Sequence, residues 1–113
     1  MAATQHGHIF HYRMLAFVGE YRGYLDELKQ AIDFSSELNS HLVRLGNSLT
    51  LLRIRFDRDL TIEDMTKIYI VIMSFNSRRV YLMRKLDDKL LSLLMYYERL
   101  KRTYKLIWQI DEE

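Results

Sequence analysis

From Met65 onward, positions alternately four and three apart read Met65, Tyr69, Ile72, Asn76, Arg79, Met83, Leu86, Leu90, Leu93, Tyr97, Leu100, Tyr104 and Ile107. Eleven of these thirteen are apolar or tyrosine. A strand would alternate every second residue, so this period predicts one long helix with a heptad-like apolar seam. Thr61-Ile62-Glu63-Asp64 marks its start, with a hydroxyl at the cap and carboxylates in the first turn. Asp111-Glu112-Glu113 sits badly against the negative end of a helix, which puts the predicted arm at 62–110.

The N-terminal half repeats the pattern in two runs. Met14, Val18, Tyr21, Leu25, Leu28 and Ile32 keep the spacing, and Leu38, Leu42, Leu45, Leu49, Leu52 and Phe56 keep it again. Across Asp33-Phe34-Ser35-Ser36 the phase slips, which reads as a stammer, a kink or a break. Gly46-Asn47 could end a helix, but the apolar spacing passes through it undisturbed. The first arm is thus expected over 9–56 with an irregularity near 33–36, after a flexible tail at 1–8. Asp57-Arg58-Asp59-Leu60-Thr61 is polar and short, and a turn at 57–61 forces the arms to run antiparallel.

The predicted fold is all-α: one domain over 1–113, an antiparallel helical hairpin of two long helices completed by oligomerisation. The alternative is that both arms break midway and fold into a four-helix bundle. With the turn centred near Asp59, residues whose numbers sum to about 118 lie level with one another. The slip region then meets Ser74, Asn76, Ser77, Arg78 and Arg79, so the two seams fail at the same height. Glu37, Asn39, Asn76 and Arg79 are read as a polar layer that fixes alignment, with Asn39 beside Arg79 and Glu37 in reach of it. A break in both arms and an anion site at Arg79 are the competing readings.

Composition sharpens this picture. There is no proline among 113 residues, where average usage of about 5% would supply roughly five or six. That suits long uninterrupted helices, since an interior proline removes a backbone bond and clashes with the turn before it. Without cysteine there are no disulfides, thiolate metal sites or thiol nucleophiles. The net charge of +2 demands neither nucleic acid nor an anionic membrane. No stretch resembles a secretory leader, and the longest apolar run, 68–73, falls far below the ~20 residues of a membrane span. A soluble intracellular protein, cytoplasmic or nuclear, is the expectation.

The second arm is apolar well beyond its seam, and a hairpin buries only one stripe per arm. Surplus apolar surface of that kind marks a contact with another chain. Ile70, Tyr81, Leu91, Met95, Tyr96, Leu106 and Trp108 lie off the expected seam and are the candidate interface. Tyrosine and tryptophan, present here as eight and one, combine large apolar area with a polar end. The expected function is a non-enzymatic interaction module that self-associates or packs on a helical partner, with no cofactor and no small-molecule substrate. The alternative is a small nucleic-acid-binding or architectural protein. Residues 78–105 hold nine basic residues against three acidic ones, and Arg78, Arg84, Lys85, Arg99, Arg102 and Lys105 form a candidate basic stripe. His6, His8 and His11 are the one metal-like grouping, but no carboxylate or cysteine stands near to complete a site, and none is assigned. No spacing suggests a catalytic triad or a di-iron motif, so an enzyme is not expected.

Overall fold

A computed structural model describes the backbone over 2–112 and the side chains over 7–109. Two helices, α1 (Ala2–Leu51) and α2 (Ile62–Glu112), pack against each other as a hairpin, and no strand occurs among the described residues. The contacts gather into two compact units, a terminal unit of Met1–Ala31 with Asp88–Glu113 and a turn unit of Ile32–Asp87.

Local chemistry sets the inner ends of both helices. At the end of α1 the Leu52 N–H donates to the Leu49 carbonyl at 3.2 Å and the Arg53 N–H to that of Thr50 at 3.1 Å. These tighter bonds occupy carbonyls that the ending helix leaves free. Arg53 then adopts a left-handed conformation (φ 53°), which takes the chain out of the helix. The link therefore spans 52–61, longer than the expected 57–61, with Leu52, Ile54 and Leu60 partly covered. Arg55 closes onto Asp57 through two bonds of 3.1 and 2.6 Å. At the start of α2 the Asp64 N–H donates to Thr61 Oγ1 at 3.1 Å, and the Thr61 N–H donates to Asp64 Oδ2 at 3.2 Å. That reciprocal pair is a capping box, and it satisfies two amides the helix cannot.

At the other end of α1, the segment expected as a tail belongs to the helix from Ala2 onward. Nothing from Ala2 to Gln5 breaks a helix, and alanine is its best former.

The expected slip at 33–36 is absent. The inward positions of α1 run Phe17, Glu20, Tyr24, Glu27, Ala31, Phe34, Leu38, His41, Leu45, Ser48 and Leu52, four and three apart without interruption. In the first run the apolar period had selected the stripe one residue later: Val18 for Phe17, Leu25 for Tyr24, Ile32 for Ala31. On α2 the inward positions include Ile68, Val71, Phe75, Leu82, Leu86, Lys89, Leu93, Tyr96, Leu100 and Ile107. Several of these also lie one residue before the expected seam. Leu38, Leu45, Leu52, Leu86, Leu93, Leu100 and Ile107 belong to both readings. Period was legible, but phase was not, because each helix carries two adjacent apolar stripes.

Polar residues occupy the true contact face because each finds a partner there. In the terminal unit Lys89 Nζ lies 3.1 Å from Glu27 Oε2, both side chains largely covered, as a charge pair without hydrogen-bond alignment. Arg13 donates to the Leu106 carbonyl. In the turn unit the buried His41 donates from Nε2 to the Phe75 carbonyl at 2.8 Å, its ring 5.0 Å from that of Phe75. The covered apolar core is thin: among the described residues only Ala31 and Leu82 are buried hydrophobics.

Candidate partner interface

A helix in a hairpin has two flanks beside its contact face, and here they differ in chemistry. One flank is bound by ion pairs. In the turn unit Arg78 donates to Glu37 Oε2 at 2.8 Å and lies 5.0 Å from the Tyr81 ring centroid. In the terminal unit Arg99 stands 3.9 Å from Glu20 and 5.3 Å from the Tyr96 centroid.

The opposite flank is apolar. Heptad spacing places Ile32 and Leu42 of α1 beside Met65, Tyr69, Ile72 and Met83 of α2 in the turn unit. In the terminal unit it places Met14, Val18 and Tyr21 beside Leu90, Tyr97 and Tyr104. Every one of these twelve is 37–65% exposed. They are the residues that the apolar period had assigned to the hairpin's own seam. Phe17, Tyr104 and Trp108 extend the terminal-unit flank as an aromatic chain, with centroids 6.5 and 5.9 Å apart. Near the link, a hollow of about 440 Å³ opens between Leu49, Ile54, Phe56 and Ile68.

Within the turn unit one polar belt crosses this flank. Arg79 donates to Asn76 Oδ1 at 2.7 Å from Nη2 and 3.3 Å from Nε, and its Nη1 reaches the Met83 sulfur at 3.1 Å. Asn39 is exposed on α1 at the matching height, which is set by the Glu37–Arg78 and His41–Phe75 contacts on either side. The expected polar layer of Glu37, Asn39, Asn76 and Arg79 is therefore corrected twice. It is a surface feature and not a buried layer, because the true contact face passes beside it. Glu37 pairs with Arg78 on the far flank, not with Arg79.

Of the expected interface residues, Ile70, Tyr81, Leu91, Met95 and Trp108 are exposed. Tyr96 and Leu106 are not free surface. The Tyr96 ring lies against Gly23, where a Cβ would come within 2.6 Å of its Cζ, and Leu106 is half-buried, its backbone carbonyl also accepting from Arg13. On the outer side of α2, Ile70, Tyr81, Leu91 and Met95 alternate with Lys67, Arg84, Asp88, Glu98, Arg102 and Lys105. Charges are denser there than on the flank, where Asn76, Arg79, Asp87 and Lys101 interrupt the apolar run along α2.

The basic stripe is partly consumed within the chain. Arg78 and Arg99 are paired as described, and Lys85 lies 5.7 Å from the Tyr81 centroid. Arg84, Arg102 and Lys105 are exposed, and the latter two line a shallow hollow of about 250 Å³ with Glu98 and Lys101. His8 and His11 are exposed, while the His6 side chain lies outside the described residues. Among the described residues no three histidines, cysteines or carboxylates gather as a metal cluster, and no helix is long and apolar enough to cross a membrane. Two carboxylates are lowered below the ordinary range, Asp57 in the link by its bonds from Arg55 and Asp64 in the first turn of α2 by the Thr61 backbone N–H.

The chain matches no protein family, no curated protein and no solved structure.

Proposed function

We propose that this protein is a non-enzymatic interaction module, a helical subunit or adaptor that associates through the apolar flank of its hairpin. The observation that carries the reading is the contrast between flanks: one is closed by ion pairs, and the other offers aromatic and aliphatic side chains with nothing over them. Contiguous exposed apolar surface of this kind marks an interaction site.

The nucleic-acid reading is weaker, since three of its six stripe residues already face a carboxylate or an aromatic ring within the chain. Sedimentation velocity at micromolar concentration, run beside titration with a dye that lights up on apolar surface, tests the proposal. Either a species heavier than 13.7 kDa or a dye-binding monomer is expected. A monomer that binds no dye overturns it.

A further inference from the structure

Resting on that reading, we infer that the occupant of the apolar flank is a second copy of this chain, docked with its link at the same end as the link of the first. The polar belt of the turn unit carries the inference. Arg79 has five N–H donors, and Asn76 and Met83 take only part of them. Once the flank is covered, the remainder need acceptors that are not hydrophobic. Ser35 and Asn39 supply such acceptors on the same flank, but from α1.

A twofold axis parallel to the helices carries every residue to its own height and sets the α1 edge of one copy against the α2 edge of the other. Ser35 and Asn39 of each copy then meet Asn76 and Arg79 of its mate, donors against acceptors, twice over. The same operation makes each helix antiparallel to both of its neighbours, the favourable order for helix dipoles. Reversing the second copy destroys this match: it sets α2 against α2, and Arg79 then loses the Ser35 and Asn39 acceptors of α1 and leaves a desolvated guanidinium without a partner. Buried polar positions of this type set alignment in helical assemblies. Occupation by a copy also requires no acidic partner, and the belt offers none.

The absence of cysteine gives a clean test. Asp59→Cys places a single spin label on the exposed link, and pulsed dipolar spectroscopy reads label-to-label distance in the assembled protein. Same-end docking is expected to give one distance population below roughly 40 Å, since the four helices pack at 8–10 Å between axes. A dimer lacking that population overturns the arrangement while leaving the interaction module intact. A monomer that binds apolar dye excludes a second copy and points to another chain. In the triple variant Asn39→Leu, Asn76→Leu, Arg79→Leu, the dimer should persist and the single population should be lost. If it survives, the belt does not set orientation.

Discussion

At the scale of the residue, the start of α2 is the site most completely written in the sequence. Thr61 and Asp64 stand three apart, each bonding the backbone amide of the other, and the motif was readable without coordinates. The Thr61 N–H bonds the carboxylate form of Asp64, with Arg58 Nη1 at 3.2 Å adding attraction, so its pKa is lowered in the folded chain. A group with a depressed folded pKa stabilises the fold above its unfolded value near 3.8 and loses that contribution as pH falls through the folded value. Thermal unfolding followed by circular dichroism should therefore show Asp64→Asn clearly less stable than the natural chain at pH 7. The gap should narrow as pH falls below the unfolded value near 3.8 and close once the folded carboxyl is also protonated. An equal gap at neutral and acid pH would place the role of Asp64 outside its charge. His41 was not readable in the same way. A histidine within a leucine run gives no hint that its ring will cross to the Phe75 carbonyl.

At the scale of the element, hairpin, helix type and antiparallel order followed from period and a central polar turn, while phase did not. Counting apolar residues favoured the outer stripe, because the true contact face carries Glu20, Glu27, Lys89 and Ser48. The usable signal was complementarity: Glu27 with Lys89 and Glu20 with Arg99 join residues at matching heights across the two arms. The glycines of α1 test the corrected phase. A Cβ at Gly19 or Gly46 meets nothing within 4 Å, whereas at Gly23 it collides with the Tyr96 ring. Gly19→Ala and Gly46→Ala should each stabilise by up to about 1 kcal/mol in chemical denaturation, the usual gain on removing glycine from a helix. Gly23→Ala should show no such gain, because displacing the ring costs a comparable or larger amount, about 1–3 kcal/mol. Equal gains at all three would mean that Gly23 does not face α2.

At the scale of the whole molecule, the excess of apolar surface was legible from composition, but its location was not. Residues expected to hold the hairpin together lie outside it, and two expected to meet a partner, Tyr96 and Leu106, are engaged within. An interaction module of this kind has its apolar flank covered in solution, and the methionines allow that cover to be read side chain by side chain. Met14, Met65 and Met83 lie on the flank and Met95 on the outer side of α2, with exposures of 41, 49, 42 and 49% in the single chain. Equal exposure makes them equally open to peroxide unless something shields them, since oxidation follows access. Limited oxidation at micromolar protein, quantified by peptide mass spectrometry, should leave Met14, Met65 and Met83 protected several-fold relative to Met95. Matched oxidation of all four would contradict the account, and selective protection of Met95 would move the interface to the outer face.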